Sequence, residues 1–268
     1  MSYQKGELNE INCFNYLNEN FKTEHISFER NGGMDSTVPD IAVLKDKEVL
    51  FYIEAKDTSA QAGQFVLIPD LKEEKFIFSE RNISSQNTET EQIISYMNKY
   101  FKIFKDAGSS GIEIGLESSI FANWIIGHYQ ANGSKYIITH NGNDYIIFPV
   151  EKLKEYFTIG AVYRIKKSGS SAPAKRDIEK VEETIKDIYP NAEFIHESKK
   201  LYVELNDPLE DNSFQYNDND YLLAFRDNNQ PYEVRKLSNT KNANVIFNIT
   251  LKQNQQRNDL EQFKNDLK

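Results

Sequence analysis

The sequence predicts an α/β fold: a mixed central β-sheet flanked by helices, continued by a β-rich C-terminal region. Three observations predict it. An amphipathic helical period opens the chain, two apolar β-like runs joined by a short charged turn follow, and helical spacing then returns ahead of a second pair of short β-runs. Helical and strand-like segments that alternate in this way belong to a sheet with helices on its faces.

Residues 7–21 place Leu8, Ile11, Phe14, Tyr16, Leu17 and Phe21 near helical spacing, with Asn and Glu between them. A turn-rich stretch, Arg30 to Ser36, leads into the run Val38 to Leu44, which ends at Lys45-Asp46-Lys47-Glu48. Val49 to Lys56 is apolar on both faces until its end, so the two runs are expected to form an antiparallel hairpin inside a sheet. Glu91–Phe104 and Ser118–Tyr129 have helical spacing, with Phe121, Trp124 and Ile125 as core. The runs 136–139 and 145–148 flank Asn141-Gly142-Asn143-Asp144, the chemistry of a tight hairpin turn, and 150–157 is expected as a helix.

Composition changes at Lys166 to Arg176, a stretch of small and basic residues that suits a linker or an exposed binding loop. This divides the chain into an expected core at 1–160 and a C-terminal region at 161–268. Beyond the break a helix is expected near 177–188, β-runs at 200–205, 221–226, 232–237 and 244–251, and a helix over the last fifteen residues.

The hydrophobic share of 39% is enough for a sizeable core. The single cysteine, Cys13, cannot form an internal disulfide, and the four histidines are too far apart in sequence to form a zinc motif. No apolar stretch has the length of a membrane span or a secretory signal, so a cytoplasmic protein without membrane contact is expected. A net charge of -9 weighs against nonspecific coating of nucleic acid, yet 32 Lys and Arg residues suffice for a local basic cleft.

Chemistry concentrates at the end of the second run. In a strand residues i and i+2 share a face, so Glu54 and Lys56 project together while Val49, Phe51, Ile53 and Ala55 face the core. Hairpin pairing brings Asp40 beside the same end. Two carboxylates are then able to converge on one hard cation that keeps several waters and takes a phosphate as its remaining partner.

Asp40, thirteen intervening residues and then Glu54-Ala55-Lys56 resemble the PD-(D/E)XK nuclease superfamily, here as Pro39-Asp40 followed by Glu-Ala-Lys. Gly6-x-x-x-Glu10 matches the helix-borne Glu of many members, and Asn31-Gly32-Gly33-Met34-Asp35 sits where related resolvases have a Gly-rich lead-in. The resemblance covers about residues 6–150 and implies a restriction-endonuclease-like core with Gln61 or Gln64 opening the helix after the second strand. It implies that Asp40, Glu54 and the Ala55 carbonyl hold Mg²⁺, that Lys56 orients the attacking water, and that Glu10 tunes the metal site. The implied activity is a type II restriction endonuclease on double-stranded DNA, working as a homodimer beside a cognate DNA methyltransferase.

Gln61, Gln64 and the basic loop, with Arg164, Lys166, Lys167, Ser168, Lys175 and Arg176, are the candidate DNA contacts. Arg226 and Arg235 suit ordinary surface roles better than base reading. Gly108-Ser109-Ser110-Gly111 lacks the Lys of a phosphate-cradling loop and is expected as a turn. Two other functional readings stay open: a nuclease of the Holliday junction resolvase kind, and a noncatalytic DNA-binding module on a nuclease fold.

Overall fold

The computed structural model describes residues 5–31, 38–167, 169–206, 208–209, 212–226, 229–239 and 241–268. It divides into two compact units, one of residues 3–165 and 243–268, the other chiefly of residues 166–242.

The first unit begins with α1 (Lys5–Phe21), β1 (Ile26–Arg30), β2 (Ile41–Lys45), β3 (Glu48–Ala55), β4 (Ser59–Asp70) and β5 (Lys75–Phe78). Next come α2 (Thr88–Lys99), α3 (Phe101–Phe104), β6 (Ile112–Glu113), α4 (Ser118–Ala131), β7 (Ser134–His140), β8 (Tyr145–Pro149), α5 (Leu153–Tyr156) and β9 (Phe157–Lys167). The second unit holds β10 (Ser170–Ser171), α6 (Ile178–Ile188), β11 (Glu193–Glu197), β12 (Lys200–Glu204), β13 (Ser213–Tyr216), β14 (Asn219–Arg226) and β15 (Asn229–Leu237). The chain then returns to the first unit through β16 (Lys241–Leu251) and α7 (Arg257–Asp266).

Two five-stranded sheets build the first unit, in the orders β1-β2-β3-β7-β8 and β5-β4-β16-β9-β6. β2 and β3 form the expected antiparallel hairpin, with Ile41 opposite Ile53. Its tight turn needs left-handed backbone at two residues, which Asp46 (φ 51°) and Lys47 (φ 73°) adopt without glycine. His25 Nδ1 lies 2.8 Å from the Asp46 carboxylate and braces that turn. β3 pairs with β7 in parallel, so the chain must cross over, and α4 leads directly into β7.

Burial on both faces explains the continuous apolar runs of β7 and β8. Tyr136, Ile138 and Ile147 pack under α1 and α7, while Ile137, Ile146 and Phe148 join the larger core with α2, α4 and the second sheet. Phe121, Trp124 and Ile125 lie in that larger core as expected. Among the described residues no helix is long and apolar enough to cross a membrane.

Several expectations need correction. Phe51, Ile53 and Ala55 face the core, but Val49 is 51% exposed, because a bulge opposite Val43 and Leu44 breaks the alternation near the hairpin tip. Gln61 and Gln64 open no helix; they lie on the long strand β4, whose Phe65 and Leu67 alternate into the core. The single helix expected over 91–104 breaks at Tyr100, and β9 begins at Phe157 where a helix was expected to end. The C-terminal region is not one block from 161 to 268: it leaves the first unit at Lys166 and rejoins it after Asn242.

The returning segment closes a sheet edge. Gln255 Oε1 accepts from Ile147 N–H at 2.6 Å and Gln255 Nε2 donates to Ile147 C=O at 2.8 Å, which satisfies outer backbone groups of β8 with a side chain in place of a strand.

Candidate active site

The open end of the hairpin gathers three charges. Asp40 stands immediately before β2 and Glu54 near the end of β3, and Lys56 follows that strand. Asp40 is held by the backbone: its Oδ2 accepts from Ala55 N–H at 2.8 Å. Lys56 Nζ lies 2.8 Å from Glu54 Oε2 and 3.2 Å from Asp40 Oδ2. The two carboxylates thus share one cationic partner, each with an oxygen in contact with the same ammonium.

Their electrostatics follow from burial and neighbours. Glu54 is 6% exposed, and burial pushes its carboxyl above the ordinary glutamate value although Lys56 and the hydroxyl of Ser134, donating to Oε1 at 3.0 Å, act in the other direction. Burial alone would lower the Lys56 ammonium. The negative groups around it outweigh burial and hold it well above an ordinary lysine. Its cation also lies 5.6 Å from the centre of the Tyr129 ring.

These groups line a cavity of about 460 Å³ together with Glu10 from α1 and Gln61 and Gln64 from β4. Gln61 and Gln64 are three apart, which on a regular strand sends their side chains to opposite faces. A bulge prevents that. Opposite β4, Phe247 pairs with Gly63 and Asn248 with Gln61, so Ala62 is the extra residue and the alternation resets. Both amides then border one cavity, with Gln61 Nε2 donating to Gln64 Oε1 at 3.1 Å. The bulged carbonyl of Ala62 accepts from the buried Tyr129 hydroxyl at 2.8 Å, which ties this wall to the residue that faces Lys56. Gly63 allows the approach, since a Cβ there would sit 2.6 Å from the Trp124 ring.

Sequence reasoning missed His128, Tyr129, Arg81 and Asn132, which also line the cavity. A tyrosine in so apolar a helix, one strand away from the Glu-x-Lys run, was the available signal, because a buried hydroxyl needs a partner.

Of the candidate DNA contacts of the basic loop, Arg164 lies on β9 in the first unit and the others lie in the second. Lys175 and Arg176 are exposed there, and Arg176 Nε is 3.7 Å from Asp177. Ser168 and the side chains of Lys166 and Lys167 lie outside the described residues, as does the side chain of Arg226. Arg235 is committed internally: it donates to Ser170 C=O at 2.7 Å, to Ser170 Oγ at 3.1 Å and to the buried Glu233 at 2.8 Å. Cys13 is buried in the core, and burial pushes its thiol up to about 12, which leaves it unreactive.

The donor set fits a hard divalent cation in its chemistry: two carboxylates already share one positive charge at the edge of a water-accessible cavity. Among the described residues no cluster of three or more His, Cys, Asp and Glu side chains surrounds a common point. A metal here would therefore complete its shell with main-chain carbonyl, water or substrate oxygen, the pattern of an ion that keeps much of its hydration.

No family model matches the sequence, and no curated protein matches it. Among solved structures, HhaI endonuclease in complex with DNA is similar to this chain, with 34% sequence identity, a TM-score of 0.78, and coverage of 96% of this chain and 97% of that one.

Proposed function

Since this chain belongs to the PD-(D/E)XK nuclease superfamily, in its type II restriction-endonuclease-like branch, we propose that it is a Mg²⁺-dependent endonuclease that hydrolyses double-stranded DNA at a specific sequence. The observation that carries the reading is the pair of carboxylates, Asp40 and Glu54, sharing the Lys56 ammonium at the edge of the cavity.

Asp40 and Glu54, with the Ala55 carbonyl, would hold the metal. A bound Mg²⁺ supplies charge neutralisation at the phosphate and a water of lowered pKa. Lys56 orients the attacking water and offsets charge that builds on the phosphate oxygens as the bond to the nucleophile forms. The backbone N–H of Ala55 fixes the Asp40 carboxylate, and Ser134 fixes Glu54, so both carboxylates that would hold the ion are oriented by the protein itself. Glu10, on the cavity wall, adds negative charge that favours a divalent ion over a monovalent one.

Gln61 and Gln64 contact the bound strand, and Lys175, Arg176 and their neighbours Lys166, Lys167 and Ser168 take phosphates of the flanking duplex. A homodimer would cut both strands, and a cognate methyltransferase would protect the host's own sites. The likeness to HhaI endonuclease runs through the second unit as well, which a short junction resolvase would leave without a role.

Incubation with unmodified plasmid and phage DNA, with Mg²⁺ and with a chelator control, tests the reading. Discrete metal-dependent fragments are expected. Lys56→Ala should abolish them while a gel-shift assay still detects DNA binding. Intact DNA from the wild-type protein under these conditions would leave only a binding module, and cutting confined to branched DNA would indicate a resolvase.

A further inference from the structure

We infer that His128 is a further substrate-binding residue of this site, donating a hydrogen bond from its imidazole to a phosphate oxygen of the DNA strand in the cavity. The inference rests on the nuclease reading above, and it adds a contact that the resemblance does not supply.

Its position comes first. His128 lies in the last turn of α4 and borders the same cavity as Asp40, Glu54 and Lys56. Its ring is held rather than free: it stacks on Trp124 with centroids 5.1 Å apart and planes 22° from parallel. Trp124 is itself fixed, since its indole N–H donates to Thr90 Oγ1 at 3.1 Å and its ring stacks on Phe247 at 4.4 Å. One turn of helix thus separates a buried anchor from a ring on the cavity wall.

Its valence comes next. A part-buried histidine ordinarily spends at least one ring nitrogen on a protein partner. Among the described residues none hydrogen-bonds to the imidazole of His128, whose ring lies against the rings of Trp124 and Tyr129. An oriented donor with no hydrogen-bond partner among the described residues, bordering a water-accessible cavity, suits a ligand that enters the cavity. Burial, and then the Lys56 cation, hold the imidazole below its ordinary value, which favours the neutral ring with one N–H.

The class of ligand follows from the rest of the wall. Gln61, Gln64, Arg81 and Asn132 bring donors to a cavity whose carboxylates are engaged with a cation. A polyanion threaded between a cation site and a set of N–H donors has its phosphate oxygens where the donors are. A neutral donor meets such an oxygen without adding a second positive charge beside Lys56.

Two variants separate this role from packing. His128→Phe keeps an aromatic ring to stack on Trp124 and removes both nitrogens; His128→Gln restores an N–H at comparable reach. The probe is a plasmid that the wild-type protein linearises in Mg²⁺. His128→Phe is expected to raise KM on the order of tenfold, the loss of one hydrogen bond to a charged group, with kcat and the unfolding midpoint near wild type. His128→Gln should recover most of that loss. A wild-type KM in His128→Phe overturns the inference, and so does an equal loss in both variants accompanied by a lower unfolding midpoint, which marks a packing role. Should the wild-type protein fail to cut, the nuclease reading falls alone. Binding of the same plasmid by wild type and His128→Phe is then compared directly, and equal affinities would overturn the contact as well.

Discussion

Lys56 and Lys152 are both held by carboxylates in the same unit, and their surroundings make them different things. Lys152 Nζ lies 2.5 Å from Asp259, which is 1% exposed and also accepts from the Tyr156 hydroxyl at 2.6 Å, while Gln256 N–H donates to that hydroxyl at 3.1 Å. There each strong donor meets an acceptor inside the protein, and the product is a strut that fastens α7 to α5. Around Lys56 one ammonium serves two carboxylates beside a cavity of about 460 Å³. That cluster has spare negative charge and room for a ligand. Similar residue types build a fastening where their valences close on each other and a candidate site where they remain open to an incoming group.

Three substitutions test this contrast. Glu54→Gln keeps the shape of the site and an acceptor for Ser134 but removes one of the two negative charges. Cleavage should fall on the order of 10²- to 10³-fold, as for loss of one electrostatic contact in a reaction centre, while stability to urea holds or rises because burial already disfavours the Glu54 charge. Full activity in this variant would erase the distinction. Asp259→Ala should do the reverse. Stability falls by about 3 kcal/mol, the low end for breaking a buried pair because Lys152 retains some access to water, and cleavage per folded molecule stays at the wild-type level. A urea titration beside a cleavage assay at low temperature reads both quantities.

The smallest effect belongs to Asp266, another anchor of α7. Burial raises its carboxyl, but the ammonium of Lys135 at 2.8 Å and the hydrogen bond from the Tyr136 hydroxyl outweigh burial and hold it below the ordinary aspartate value. A depressed carboxyl contributes stability that is complete above the unfolded value and is lost as pH falls through the folded one. Asp266→Asn should therefore flatten the acid side of the stability profile below the ordinary aspartate range, with little change in the slope near neutrality. An unchanged acid slope would mean that the contact contributes nothing.

Much of this was legible before the coordinates. Periods of 2 and 3.6 are local, so the hairpin at 41–55, the helix at 118–131 and the β-runs of the second unit could be read from them, and so could the convergence of Asp40, Glu54 and Lys56 at one strand end. What escaped was non-local. Gln61 and Gln64 were expected on a helix because nothing in their neighbourhood reveals that β16, almost two hundred residues later, pairs with that segment and fixes it as strand. The bulge at Ala62 depends on the same pairing and on Tyr129. His128 reads as an ordinary helix residue until Trp124 is seen beneath it and Lys56 on the same cavity wall. Arg235 was weighed as a base reader or a surface charge, and its bonds to Ser170 and Glu233 exist only once β10 lies on β15.

β9 and β16 are neighbours in one sheet although residues 166–242 come between them in the chain, so the whole second unit is a detour that departs and returns at adjacent strands. Such a doorway lets a lineage exchange the detour for another of different length or preference while the cutting chassis keeps its seams. Trimming from the C-terminus has no such freedom, since β16 is the middle strand of that sheet and goes with whatever follows residue 242.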